Sequence, residues 1–360
     1  MKIGILTLPL HSNYGGILQA YALMKFLNNN DHEVTLINRD FNKNRFRIGN
    51  ILYNSFFKKI VSIYIERFII EYINPRTSKI NSIRNFKIVR ELKLDVVIVG
   101  SDQVWRIEYI KEMYKDYFLN FVNNKSIKKI SYAASFGTEI WNYPENITNE
   151  IKALLSDFTA VSVREKSGVN ICKTYFNIYA EYVIDPTLLL DKAIYLKIIS
   201  SNKTRNNETG ILLYILDPDT NKDKIISKIR NTLNLNSFSV YVKESFNIKK
   251  FYRIYKCIYP SVERWLSGFN TCSYVITDSY HGVIFSLIFN KPFIAIGNKK
   301  RGLDRFISLL GILNLENILV YTEDEINNKF LFEKIDFTEV NQVIDKYKTK
   351  SIKFLLSNIH

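Results

Sequence analysis

The chain has 360 residues, a formal net charge of +15, and 47% hydrophobic against 24% charged residues. That length is long for one core and suits two domains, and the balance is that of a globular protein. The excess positive charge asks for an anionic partner: nucleic acid, an anionic membrane surface or a phosphorylated substrate. No nucleic-acid-binding module is visible, and no apolar run reaches the roughly 18 residues needed to span a bilayer. The apolar start enters a polar loop without the small-residue cleavage site of a signal peptide. The three cysteines, Cys172, Cys257 and Cys272, are widely spaced and make neither a CxxC pair nor a disulfide framework. A reduced, cytoplasmic protein is expected.

In chain order, residues 2–8 read as a buried parallel strand. The polar loop 9–16 contains His11, Asn13 and Gly15-Gly16. Residues 17–28 have helical spacing. Glycines at the helix start let a ligand approach the backbone, but the pattern is not the dinucleotide G-x-G-x-x-G. Residues 33–39 form the next strand, so strand, helix, strand opens a Rossmann-like half. Residues 41–94 break the rhythm. They mix aromatic, apolar and basic residues, and Phe56, Ile60, Ile63, Tyr64, Phe68 and Ile69 are expected to form one apolar stripe. Lys58, Lys59, Arg67, Arg76, Lys79 and Arg84 lie towards its polar side. Such a segment is a helical insertion packed on the sheet or a surface that meets anionic lipid. Strands are then predicted at 95–100, 128–135, 160–164 and 182–184. Each ends in polar residues, among them Asp102, Arg164 and Asp185.

The second half begins after a polar stretch at 204–209, with the boundary near 196–209. It repeats the order: strand 211–216, helix 222–233, strand 238–243, a helix capped by Ser261, and strand 274–277. The turn Asp278-Ser279-Tyr280-His281-Gly282 follows, then a helix over 283–289 and a strand over 293–297. A basic loop contains Lys299, Lys300, Arg301 and Arg305. A last strand is predicted at 317–321 and a closing helix at 341–356. The expected fold class is α/β, two Rossmann-like domains facing across a cleft, of the glycosyltransferase-B type. The expected domains are 1–200, with the basic helical insertion at about 41–94, then 201–335, with a closing helix in 336–360.

Four stretches in order carry a family resemblance: SNYGGILQAYAL near the start, VVIVGSDQVW at 96–105, VSVREKSG at 161–168 followed by VIDPTLLL, and TDSYHG with its apolar helix and KPF strand. Together they resemble the polysaccharide pyruvyl transferase family over roughly residues 1–310. One departure matters: many members read Arg-Leu-His where this chain has Ser279-Tyr280-His281. The family arginine is missing, so another cation must take its work or the anion is held differently. The resemblance implies transfer of pyruvate from phosphoenolpyruvate to two hydroxyls of one sugar of a cell-surface polysaccharide or its precursor. It implies phosphoenolpyruvate as co-substrate and no further cofactor. The first domain would take the acceptor and the second the donor.

The chemistry needs a proton donor, cations for a carboxylate and a phosphate, and an acid that orients hydroxyls. His281 and Asp102 are the candidate catalytic residues. Arg164, Ser279, Lys300, Arg301 and Arg305 are the candidates for binding the donor. Asn13, Gln19 and Asp278 are the candidates for binding the acceptor. Each has a plainer alternative: a helix cap for His281, Asp102 and Asp278, a salt bridge with Glu165 or another acid for Arg164, and a solvated loop for the cations. No cluster has metal-ligand spacing. A lipid-linked acceptor would place the protein at the inner face of the membrane, in reversible peripheral contact, with no nucleic acid as partner. Two other functions share these features. One is a glycosyltransferase using a nucleotide sugar. The other is a non-catalytic binding protein for anionic glycans or nucleic acid, whose affinity would fall steeply with salt.

Overall fold

The computed structural model describes residues 1–40, 57, 59–201, 208–242, 253–298, 301–326, 331 and 335–360. The first domain is built on strands β1 (Lys2–Leu6), β2 (Glu33–Ile37), β3 (Val96–Val99) and β4 (Lys128–Ser131), in the order β2-β1-β3-β4. The pair β5 (Ser162–Val163) and β6 (Glu181–Tyr182) extends that sheet through parallel bridges from Ile130 to Ala160 and from Ala134 to Val163. The second domain has β7 (Ile211–Tyr214), β8 (Ser237–Ser239), β9 (Tyr274–Thr277), β10 (Phe293–Ile296) and β11 (Leu319–Val320), in the order β8-β7-β9-β10-β11. Every pairing is parallel. The strands β3, β9 and β10 are buried along their whole length, as expected where helices cover both faces of a parallel sheet.

Both sheets therefore run outward from their first strand in opposite directions. The reversal lies between β1 and β3 in one domain and between β7 and β9 in the other. That is where an open α/β sheet leaves a crevice for ligands. The helices that follow β1 and β9 begin earlier than the sequence suggests, as Tyr14–Asn28 and Tyr280–Ile288. Gly15 and Gly16 thus belong to a helix rather than to a loop, and His281 stands in a first helical turn.

The two domains share one continuous core. Tyr14 stacks on Trp265 at 5.4 Å between ring centroids, and its hydroxyl donates to the Pro260 carbonyl at 2.6 Å. The final helix, Phe337–Ile359, is capped by the Asp336 carboxylate, which accepts from the Thr338 and Glu339 N–H groups. It returns to the first domain, where the Ile184 N–H donates to Ser351 Oγ at 3.0 Å.

Within the insertion, the helix Ile63–Tyr72 buries Ile65, Phe68 and Ile69. Val61 and Phe57 are also buried, whereas Ile63 and Tyr64 face solvent, 55% and 49% exposed. This corrects the expected stripe: inward positions recur at 57, 61, 65, 68 and 69, one helical face, which 63 and 64 do not share. Phe56 and Lys58 lie outside the described residues. Residues 76–80 run beside β2, with bridges from Leu36 to Arg76 and from Arg39 to Ile80. The buried pair Arg39–Asp116, at 2.8 Å, anchors that edge.

Candidate active site

At the end of β5 the chain turns inward with Arg164, which is fully buried. Its Nη1 donates to Asp185 Oδ2 at 2.7 Å and its Nη2 to Asp102 Oδ1 at 3.0 Å. Arg164 is therefore not paired with its neighbour Glu165. That carboxylate accepts from the Phe136 and Gly137 N–H groups instead. The Arg164 Nε is buried and has no hydrogen-bond partner.

Asp102 follows β3 with a left-handed backbone, φ 79°. The turn aims its carboxylate at the crevice, where Oδ2 accepts from Asn13 Nδ2 at 3.2 Å. Burial raises the Asp102 carboxyl, but Arg164, His281 and Arg305 outweigh that and hold it below its ordinary value. Asp185, just after β6, is also held well below the carboxylate range: burial raises it, and the contacts from His281 and Arg164 prevail. Both acids are thus ionised.

From the second domain, His281 sits with Nε2 3.5 Å from Asp185 Oδ2. Its other side packs on the first helix. A Cβ on Gly15 would lie only 2.0 Å from His281 Nδ1, so only glycine admits the ring there. Gly16 is similarly pressed: a Cβ there would lie 3.0 Å from Asn13 Nδ2 and 3.2 Å from Asp102 Oδ2. Beside His281 stands Tyr280, the two rings 5.6 Å apart between centroids. The Arg164 guanidinium lies 4.9 Å from the Tyr280 ring centroid and that of Arg305 lies 5.1 Å away. Arg305 is 4% exposed. Burial, then the nearby charge of Arg164, pull it down to about 10. Its Nε is buried without a partner, and Nη2 donates to the Arg301 carbonyl. Two buried guanidinium groups, an imidazole and two helix starts gather here around the ionised carboxylates of Asp102 and Asp185, a set of groups suited to an anion that reaches them.

The other sequence candidates fall elsewhere. Ser279 caps the Tyr280–Ile288 helix, accepting from the Gly282 N–H. The fork of Arg301 is engaged with Asp217, with Nη2 to Oδ1 at 2.8 Å. Asp278 is fully buried and saturated: it accepts from the Leu216 and Asp217 N–H groups, from Lys222 Nζ at 2.8 Å and from Asn298. It ties down the loop after β7 and leaves nothing for an acceptor. Gln19 is also turned inward, donating to Thr7 Oγ1 and the Gly16 carbonyl. Lys299 and Lys300 lie outside the described residues. Two residues that the sequence reading did not name as site candidates stand among these groups: Asp185 and Tyr280. The run Asp185-Pro186-Thr187 signals a cap, and Asp185 is one, but nothing local announces its distant partners.

On the first domain a cavity of about 250 Å³ opens beside the loop that carries Asn13. It is lined by Leu10, His11, Asp40, Arg76, Thr77 and Lys79 among others. Asp40 there meets His11 at 3.7 Å and Lys79 at 3.2 Å.

A polysaccharide pyruvyl transferase family model matches residues 13–300. No curated relative matches the sequence. Among solved structures, a UDP-N-acetylglucosamine 2-epimerase from Methanocaldococcus jannaschii in complex with UDP-GlcNAc and UDP superposes with a TM-score of 0.53 at 12% identity. The alignment covers 96% of this chain and 99% of that one. The corresponding epimerase from Rickettsia bellii gives 0.52 at 11% identity, covering 100% and 97%. Arabidopsis thaliana UGT89C1 complexed with UDP-L-rhamnose gives 0.52 at 9% identity, covering 99% and 97%. These likenesses establish the fold, two Rossmann-like domains of the glycosyltransferase-B type.

Proposed function

The chain belongs to the polysaccharide pyruvyl transferase family, and from that premise we propose that it forms a pyruvate ketal on a sugar, with phosphoenolpyruvate as donor. The observation that carries the reading is the cluster of Arg164, Arg305 and His281 around Tyr280, shared between the domains. The donor has a carboxylate and a phosphate. Arg164 and Arg305 each keep a buried Nε–H without a partner. Arg305 takes the place of the arginine that the family has where this chain has Ser279. Arg301 and Ser279 support the pocket from behind, through Asp217 and the helix cap.

His281 gives a proton to the vinyl carbon, which becomes a methyl group, and the central carbon becomes electrophilic. A sugar hydroxyl adds there, with Asp102 positioned to orient it and take its proton. The bond to phosphate breaks, the phosphate leaves, and a second hydroxyl of the same sugar closes the ring. Its proton departs with the phosphate. The acceptor lies on the first domain, near Asn13 and the cavity beside it.

The acceptor's carrier is a lipid-linked diphosphate at the cytoplasmic face. Two features support this placement. The net charge is +15, and the helix Ile63–Tyr72 exposes Ile63, Tyr64 and Ile70 beside Arg67. Among the described residues no helix is long and apolar enough to cross a membrane, so contact is peripheral.

The test is mass spectrometry of saccharide acceptors incubated with phosphoenolpyruvate. Acceptors that gain a pyruvyl ketal, with release of phosphate, support the reading. Transfer only from a nucleotide sugar, or tight binding of a nucleoside diphosphate without transfer from phosphoenolpyruvate, replaces it with the glycosyltransferase function.

A further inference from the structure

Asp185 belongs to the first domain, yet it touches the key group of the second. It is fully buried. Its Oδ1 accepts from the Thr187 N–H at 3.1 Å and from Thr187 Oγ1 at 2.8 Å, which fixes the plane of the carboxylate. Its Oδ2 is left for three groups: Arg164 Nη1 at 2.7 Å, Ser101 Oγ at 3.1 Å, and His281 Nε2 at 3.5 Å. The last distance is an ionic approach rather than a good hydrogen bond, and His281 Nε2 has no other hydrogen-bond partner. The opposite, Nδ1 edge of the ring lies along Gly15, where a Cβ would come within 2.0 Å of it. The imidazole is thus held between two parts of the first domain although it is carried by the second.

We infer that Asp185 is a positioning residue: one carboxylate oxygen holds both Arg164 and His281, so the acid is oriented only when the two domains are together. The inference rests on the reading of this pocket as the phosphoenolpyruvate site. It makes a prediction that a scaffold role does not. Asp185 is a negative charge against the Arg164 guanidinium, one of the two that receive the anion. Removing the charge favours anion binding, while the imidazole loses its fixed orientation, and loss of orientation alone costs about 10²-fold in rate.

In Asp185→Asn, kcat should therefore fall about 10²-fold while the KM for phosphoenolpyruvate falls or is unchanged. Calorimetry with phosphoenolpyruvate should report binding at least as tight as in the wild type. Asp185→Glu keeps the charge but displaces it, and should lower kcat without tightening binding. A raised KM together with a lowered melting temperature in Asp185→Asn would overturn the inference in favour of scaffolding. A second measurement does not depend on any Asp185 variant folding. The protein has four histidines, so ¹⁵N-histidine spectra are simple, and His281→Gln identifies the signal. The wild-type ring should carry a proton at Nε2, facing Asp185. A neutral ring protonated only at Nδ1 would refute the arrangement. Should the wild type bind no phosphoenolpyruvate, the donor assignment fails, and the ring measurement still decides the role of Asp185.

Discussion

In the first domain the loop after β3 carries Asp102, and in the second the loop after β9 carries Asp278. The strand order is the same in both, so the two carboxylates stand at matching crevices. Asp102 reaches across its crevice to Asn13 and Arg164. Asp278 reaches back to the Leu216 and Asp217 N–H groups and to Lys222, all in its own domain. Topology supplies two equivalent places for an acid. The backbone then decides their use: Asp102 stands three residues beyond its strand on a left-handed turn, and Asp278 follows its strand directly. Equivalent position in a doubly wound sheet therefore does not imply equivalent chemistry.

The contrast breaks most visibly at His281, the group that the second crevice offers in place of a free acid. His281→Ala should lower turnover by about 10²–10⁴-fold, the usual worth of a general acid, with the melting temperature close to wild type. An unchanged steady-state rate would move proton transfer to another group. The two aspartates should then separate by assay. Asp278→Ala leaves Lys222 buried without its main partner and should destabilise the fold by about 3–5 kcal/mol, measured by denaturant unfolding, while the folded fraction stays active. Asp102→Asn should do the reverse, losing activity with little change in the unfolding midpoint. If both variants lose activity and stability alike, the contrast is wrong.

A finer test concerns the missing family arginine. Arg305→Ala should raise the KM for phosphoenolpyruvate about tenfold to a hundredfold, the worth of hydrogen bonds to a charged group. Adding Ser279→Arg to that variant should recover part of the loss. No recovery would mean that Arg305 serves a site of a different shape. On the surface, Lys59→Glu with Arg67→Glu should weaken sedimentation with anionic vesicles by about 1 kcal/mol per charge, more at low salt than at high. Equal partitioning onto neutral vesicles would leave a soluble acceptor. The smallest effect lies at Asp217, held at about 2, below its ordinary value, chiefly by its hydrogen bond from Arg301. Its folded value is depressed, so its contribution is present above the ordinary value and is lost as pH falls through about 2. Asp217→Asn should flatten that part of the acid-unfolding curve slightly, because the pair is exposed and screened.

Much of this was legible before the structure. Short buried runs such as VVIV and YVIT announce parallel strands, and the polar residues after them mark the crevice rim. His281, Arg164 and Asp102 converge as the family resemblance implied. What stayed hidden was of two kinds. Partners far apart in sequence, such as Asp185 with His281 or Arg164 with Tyr280, follow from domain packing, which no local pattern records. Direction was the other. Gln19, in the first turns of its helix, and Asp278, in a turn after a strand, stand in suggestive places, but their side chains point into the protein, because each has backbone groups to satisfy there. Glycine gave a partial clue. Gly15-Gly16 suggested close approach by a ligand, and the structure brings His281 onto Gly15 instead.

The burial of His281 has a kinetic consequence. The ring is 5% exposed and wedged between residues of the opposite domain, so a donor that reacts there would have to displace part of what covers it. Nearby, a Cβ on Gly302 would lie 2.7 Å from the Gly137 carbonyl, so the two backbones close on each other there as well. A turnover at this ring would then include an opening of the domains at this mouth. A step of that kind moves whole domains through solvent. The rate of turnover should accordingly respond to the viscosity of the medium, as gating does and bond-making at a fixed site does not.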